Sequence, residues 1–211
     1  MISITSMQTL RISAAKKNWI DKALKTLDAG GTVAFPTDTV YGVGVRVFDL
    51  VGIERLYAIK ERERTKAIAV LIANTGQLSI IAQANKAAIK LAERFWPGAL
   101  TLVLRRQPEV PESLAQGPTV GVRVPNHAVA RKLLSAAGPM AVTSANLSGS
   151  KNTLNADSVM EQLDGRIELL IDGGQTPGDR PSTVVDLSGE DPRLLRAGPI
   201  TEAEIISAIT G

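Results

Sequence analysis

The sequence has no cysteine and a single histidine, and both shortages limit the chemistry open to it. Without cysteine there is no disulfide framework, no thiolate zinc site and no thiol nucleophile. With His127 alone, a Ser-His-Asp relay or a histidine-rich metal site has almost no residues to use. We therefore expect no metal held by protein side chains, and a site built from cations and hydroxyl groups instead.

Aromatic residues are also scarce, at 3% of the chain, while hydrophobic residues make up 44%. The core must therefore consist of Val, Ile, Leu and Ala, which favours buried strands covered by helices. No stretch approaches the ~20 apolar residues that would span a bilayer, and residues 1–17 lack the apolar run of a signal peptide. We expect a cytoplasmic protein without membrane contact. Its net charge of +3 suits an anionic ligand.

Helical and strand-like patterns alternate along the whole chain, without internal repeats or long linkers. Apolar residues recur at helical spacing over 20–27, and residues 32–35, 120–124 and 140–143 form short aliphatic runs typical of buried strands. A helix is predicted near 75–82. The pattern predicts an α/β fold, a twisted mixed sheet with flanking helices, as one domain over 1–211 with its core at about 15–200.

Five segments are more polar than their places between apolar strands require. The first, residues 36–42 (PTDTVYG), is either a capped turn or a corner that offers the hydroxyls of Thr37, Thr39 and Tyr41 to a ligand. The second, 60–66, is either a solvated helix end or the source of two phosphate-binding cations, Lys60 and Arg62.

The third segment places Arg123 among valines at a strand end, within residues 119–125 (TVGVRVP). A buried arginine there must pair with a carboxylate or point into a cleft, and we favour the cleft. In the fourth, residues 142–149 (VTSANLSG), a strand runs into Ser, Asn and Gly, which is either a capped loop or a ligand contact. The fifth places Ser182 and Arg196 at strand boundaries.

Taken in order, these segments resemble the YrdC/TsaC family of threonylcarbamoyl-AMP synthases. The matching pieces, which span roughly residues 20–200, are 31–44 (GTVAFPTDTVYGVG), Lys60-x-Arg62, 96–101 (WPGALT), 121–125 (GVRVP), 143–149 (TSANLSG), 182–186 (STVVD) and Leu195-Arg196. The resemblance implies a YrdC-like fold with a concave basic groove, in the short, single-domain form.

The resemblance also implies an activity. L-threonine, bicarbonate and ATP would give threonylcarbamoyl-AMP and pyrophosphate, with Mg²⁺ bound by the nucleotide, and a separate complex would transfer the group to tRNA beside the anticodon. By resemblance the threonine side is Thr37, Thr39, Tyr41, Arg123, Thr143 and Ser182, and the nucleotide side is Lys60, Arg62, Thr119, Ser144, Asn146 and Arg196. The catalytic residues implied are Lys60, Arg62 and Arg123.

Two other functions stay open. A basic groove would also suit an RNA-binding or ribosome-associated module, although few aromatic residues are present to stack on bases. A diverged paralogue would adenylylate another small substrate. Its support is that Glu63 and Ala67 stand where the family usually has Pro and then Pro or Gly. Leu71 also replaces a common His, and 152–154 (NTL) replaces Ser-Pro-Thr.

Overall fold

The computed structural model describes residues 8–115, 117–178 and 180–211; the first seven residues of the predicted domain lie outside this range. Eleven strands of the described chain form one mixed sheet. They are β1 (Leu10–Ser13), β2 (Val33–Phe35), β3 (Gly42–Arg46), β4 (Ala69–Leu71), β5 (Ala82–Gln83), β6 (Leu100–Arg106), β7 (Thr119–Arg123), β8 (Met140–Ser144), β9 (Leu169–Asp172), β10 (Thr183–Asp186) and β11 (Arg193–Arg196).

The strand order is β1-β9-β2-β3-β8-β4-β7-β6-β10-β11, with β5 paired to β6. The helices are α1 (Trp19–Asp28), α2 (Leu50–Ile59), α3 (Leu78–Ile81), α4 (Lys86–Phe95), α5 (Ala128–Ala137), α6 (Ala156–Leu163) and α7 (Glu202–Thr210), with 3₁₀ turns at Thr75–Gln77 and Glu112–Leu114. The predicted mixed α/β sheet with flanking helices is confirmed. The predicted helix near 75–82 is wrong at its end, because Ala82 already pairs with Arg106 in a strand.

The helices cover the two faces of the sheet unequally. One face packs against α2, α3, α4, α6 and α7 in a large aliphatic core. The other face carries a smaller core under α1 and α5, which reaches Leu71 and Val142 in the middle of the sheet. Because side chains alternate along a strand, Ala69, Thr101 and Arg123 point to this second face beyond that smaller core. They form the floor of an open groove.

None of the helices in the described ranges is long and apolar enough to cross a membrane.

Candidate functional site

A cavity of about 230 Å³ lies in this groove, over residues of β4, β6, β7 and β8 and beside the loop that joins β2 to β3. Nine of the twelve predicted site residues line it: Thr37, Thr39, Tyr41, Arg62, Arg123, Thr143, Ser144, Ser182 and Arg196. Lys60, Thr119 and Asn146 do not. The structure therefore brings most of the polar segments, which are up to 159 positions apart in sequence, to one place.

The corner after β2 is a hydroxyl-bonded turn. Thr37 donates its hydroxyl to the Val40 carbonyl at 2.7 Å and accepts from the Thr39 amide at 3.2 Å. The two threonine hydroxyls lie 3.0 Å apart. The Thr37 hydroxyl therefore fixes the turn, as the first interpretation predicts. Both residues also line the cavity, and their contact with a ligand stays a prediction.

The Tyr41 hydroxyl, predicted to be offered to a ligand, instead bonds to the protein backbone. Its hydroxyl donates to the Gly174 carbonyl at 2.8 Å and accepts from the Gly173 amide at 3.2 Å. Burial raises the pKa of this phenol to about 12. The hydroxyl thus fastens the turn after β9, and Tyr41 contributes shape rather than a free hydroxyl to the cavity wall.

Arg123 is buried at the end of β7, and each of its three guanidinium nitrogens donates one hydrogen bond. Nε donates to the Gly98 carbonyl at 2.9 Å, Nη1 to the Thr39 hydroxyl at 3.1 Å and Nη2 to the Asp38 carboxylate at 2.5 Å. Burial lowers the Arg123 pKa and Asp38 opposes that effect. The two options left open by the sequence are both realised, since Arg123 pairs with a carboxylate and also faces the cavity.

A second cationic corner forms around β10 and β11. Arg196 donates through Nε to the Ser182 carbonyl at 3.0 Å and through Nη2 to the Ser182 hydroxyl at 3.1 Å. That hydroxyl lies 2.8 Å from the hydroxyl of Thr101 on β6. Burial lowers the Arg196 pKa, and the positive charges of Arg123 and Arg62 lower it further. The repulsion indicates a site that gains from an anion.

Lys60 and Arg62 diverge because of how α2 ends. Glu61 adopts a left-handed φ of 51°, and the amides of Glu61 and Arg62 donate back to Ala58 and Tyr57, the pattern of a Schellman cap. The turn sends Arg62 to the cavity, where Nε and Nη2 donate to the carbonyls of residues 66 and 67 at 3.0 and 2.8 Å.

Lys60 lies behind the cavity wall, which corrects the expectation of a mobile charge that reaches a phosphate. It is 1% exposed, and Nζ donates to the Ser144 carbonyl at 2.5 Å, the Asn146 carbonyl and the Asn146 side-chain oxygen. Burial, then the Arg62 charge, lowers the Lys60 pKa to about 7. Lys60 therefore ties the end of α2 to the loop after β8.

Asn146 belongs to the same internal tie. Its amide nitrogen donates to the carbonyls of Leu147 and Ser150 at 3.0 and 2.8 Å, so it shapes the loop from which Ser144 faces the cavity. Thr119 begins β7 and lies four residues from Arg123, on the same face of the strand. It sits further along the open sheet face, and its nucleotide contact stays a prediction.

Sequence reasoning missed two residues of the site, Asp38 and Thr101. Signals for both were present, because a buried arginine requires a carboxylate and Asp38 stands inside the 36–42 segment. Thr101 ends the 96–101 segment that carried part of the resemblance. Within the described ranges no group of three or more His, Asp or Glu side chains could hold a metal ion.

These features define a class: an α/β protein with a groove of arginines and hydroxyl groups that suits a small anionic ligand. The family model described as telomere recombination, for Sua5, YciO and YrdC proteins, matches residues 25–198. The chain belongs to this Sua5/YciO/YrdC family.

Three similar proteins give detail. The threonylcarbamoyl-AMP synthase of Pyrococcus abyssi is 42% identical over 183 residues, which cover 85% of this chain and 54% of that protein. The Bacillus subtilis enzyme of the same name is 39% identical, over 90% of this chain and 56% of that protein. The crystal structure of P. abyssi Sua5 complexed with L-threonine superposes with a TM-score of 0.90 at 38% identity, over 95% of this chain and 60% of that one. The chain thus spans just over half the length of these relatives.

Proposed function

We propose that this protein is a threonylcarbamoyl-AMP synthase, which is a nucleotidyltransferase. It converts L-threonine, bicarbonate and MgATP to threonylcarbamoyl-AMP and pyrophosphate. The observation that carries the proposal is the groove, where a hydroxyl-rich corner around Arg123 adjoins a cationic corner of Arg62 and Arg196. The threonine complex of the P. abyssi relative, with the same fold, supports an amino acid as one substrate.

The amino-acid half of the groove consists of Arg123 and the hydroxyls of Thr39, Thr143 and Ser182. Two N–H groups of Arg123 remain after its three hydrogen bonds, enough to bind a carboxylate. The nucleotide half consists of Arg62, Arg196 and Ser144, and Thr119 extends it along the open face. Lys60 and Asn146 lie behind the cavity wall and hold Ser144 and the loop after it in place.

The proposed reaction does not require a side chain that acts as a general base. The threonine ammonium group first loses a proton to solvent, and the free amine and bicarbonate combine to a carbamate and water. A carbamate oxygen then forms a bond to the α-phosphorus. The bond from that phosphorus to the bridging oxygen breaks, and pyrophosphate leaves with the electron pair. The obstacle is repulsion between two anions, which fixed cations and hydroxyl donors reduce. Correct orientation of the two reactants contributes ~7 kcal/mol or more.

Magnesium enters in this proposal as part of the nucleotide. Mg²⁺ usually keeps several waters and binds phosphates with one or two carboxylates at most. The carboxylate beside the groove, Asp38, is already paired with Arg123. The residues present therefore fit a metal held mainly by the phosphates. The product, a mixed anhydride, requires a second reaction that transfers the threonylcarbamoyl group to tRNA, and direct RNA contact by this chain stays a prediction.

Three departures from the family pattern line the cavity: Ala67, Leu71 and Asn152. They bear on which amino acid or acyl group is accepted, so the test must include other amino acids. Glu63, the fourth, is exposed and lies 3.5 Å from Lys66.

The test is pyrophosphate release from MgATP, with and without bicarbonate and L-threonine, with L-serine and a panel of amino acids as alternatives. We expect release that requires both bicarbonate and L-threonine, and a product with the mass of threonylcarbamoyl-AMP. Arg123→Ala should abolish release, whereas Arg46→Ala, at the far end of β3, should not. Release that requires another amino acid would indicate the diverged paralogue. No release from folded protein, with salt-sensitive RNA binding, would indicate the RNA-binding module.

A further inference from the structure

Asp38 is a half-buried carboxylate beside the proposed anion-binding site, and the proposed reaction gives it no task. Its side chain is 12% exposed and that of its partner Arg123 is 7% exposed. It is not one of the residues that line the cavity, but it accepts a hydrogen bond from Arg123, which does line it. A carboxylate placed there opposes anion binding, so its presence requires a reason.

The first consequence of Asp38 concerns the orientation of Arg123. A guanidinium has five N–H donors, and three are taken by Gly98, Thr39 and Asp38. These partners lie on three different nitrogens, so the plane of the group is fixed. One N–H remains on each terminal nitrogen, which matches the two oxygens of a single carboxylate.

The second consequence concerns charge. The charges of Arg123 and Asp38 sum to zero. Arg62 and Arg196 donate to backbone carbonyls and to the Ser182 hydroxyl, and no carboxylate in the described ranges pairs with either of them. Among the residues that the structure describes, His127 also feels the Asp38 charge, and burial lowers the pKa of its imidazole below the ordinary value, which favours the neutral form at pH 7. One half of the groove is therefore nearly neutral and the other carries two positive charges.

We propose that Asp38 is a positioning residue that presents Arg123 to the amino-acid carboxylate and keeps polyphosphate out of that half of the groove. A zwitterionic amino acid has no net charge and suits the neutral half, while a polyphosphate is drawn to the two uncompensated arginines. The proposal rests on the proposed function, because it assigns the two substrates to the two halves.

The decisive variant is Asp38→Asn, which keeps an oxygen to accept from Arg123 and removes only the charge. Calorimetric titration measures L-threonine and pyrophosphate separately on each protein. We expect threonine affinity to fall about tenfold and pyrophosphate affinity to rise severalfold. In turnover, the KM for threonine should rise more than kcat falls. Asp28→Asn removes the carboxylate of the exposed pair with Arg46 and should change neither affinity.

A merely structural role for Asp38 would weaken both ligands in parallel, and that result, or changes below about twofold in both, overturns the proposal. Should Asp38→Asn fail to fold, Asp38→Glu separates the two effects. It keeps the charge and shifts the carboxylate, so threonine affinity should fall while pyrophosphate affinity stays at the wild-type value; equal losses would refute it. Absence of threonine binding by the wild-type protein would instead contradict the proposed function.

Discussion

Removal of one partner of the pair formed by Arg123 and Asp38 should destabilise the fold far more than removal of one partner of an exposed ion pair. Arg123→Ala leaves a half-buried carboxylate without its cation, and Asp38→Ala leaves a buried guanidinium without its anion. Removal of one partner of a buried pair costs about 3–5 kcal/mol, because the remaining charge has lost its compensation. Each single variant should therefore lose about 3 kcal/mol or more of the free energy of unfolding.

The double variant decides how much of that loss belongs to the pair. Once one of the two charges has been removed, removal of the other adds little. The destabilisation of the double variant should therefore be smaller than the sum of the two single-variant values by about 2 kcal/mol or more. The matched control is Arg46 and Asp28, whose side chains are 34% and 63% exposed; for such a pair we expect a coupling of about 0–1 kcal/mol.

Urea unfolding followed by circular dichroism measures all of these variants, with linear extrapolation to water. The reasoning is refuted if the coupling between Arg123 and Asp38 is no larger than the coupling in the control pair. The same data are needed before turnover by Arg123→Ala is interpreted, because a loss of activity at 25 °C must come from folded protein. Glu61 or Lys60 variants would not serve as controls, since both residues hold the turn that directs Arg62 to the cavity.

Two further predictions concern packing and pH. Gly198→Ala would place a Cβ 2.7 Å from the Ser182 carbonyl carbon, so the free energy of unfolding should fall by about 1–3 kcal/mol. In the control variant Gly189→Ala the new Cβ meets nothing within 4 Å, and its free energy of unfolding in urea should stay within about 0.5 kcal/mol of wild type. Lys60 has a pKa of about 7 in the folded protein against 10.5 unfolded, so the unfolded chain binds more protons between these values and stability should rise with pH there. From pH 7.5 to 9 this contribution is up to about 2 kcal/mol, and Lys60→Met should abolish it; an equal rise in the variant would contradict the assignment.

The sequence was most informative where a side chain has few ways to be satisfied. Arg123 among valines had to meet a carboxylate or a cleft, and the structure supplies both. The aliphatic runs predicted the strands because a sheet covered on both faces needs them. The prediction of a helix over 75–82 was wrong at its end, because a strand, β5, directly follows the four helical residues Leu78–Ile81. That strand pairs with β6, and local spacing does not encode such a long-range pairing.

The roles of Lys60 and Tyr41 were beyond sequence reasoning for a similar reason. A lysine at the end of a helix is usually solvated, and its burial here depends on the carbonyls of Ser144 and Asn146, more than 80 positions away. The Tyr41 hydroxyl likewise meets a backbone turn at 173–174, which only the folded sheet brings near. Polar residues in one motif can therefore serve the ligand or the scaffold, and spacing alone does not separate them.

The end of α2 shows how one residue of spacing divides these two tasks. Lys60 is the last residue that continues the helical path, and its side chain therefore points into the interior with the helix. Glu61 then takes the left-handed conformation, which costs a residue with a Cβ roughly 1–2 kcal/mol but reverses the chain so that Arg62 faces the groove. The Lys60 tie and the two cap bonds offset that cost by fixing the turn to the loop of Ser144. Two basic residues separated by a single position thus have different tasks: Lys60 holds the cavity wall and Arg62 lines it. A shift of either residue by one position would leave its own task unfilled.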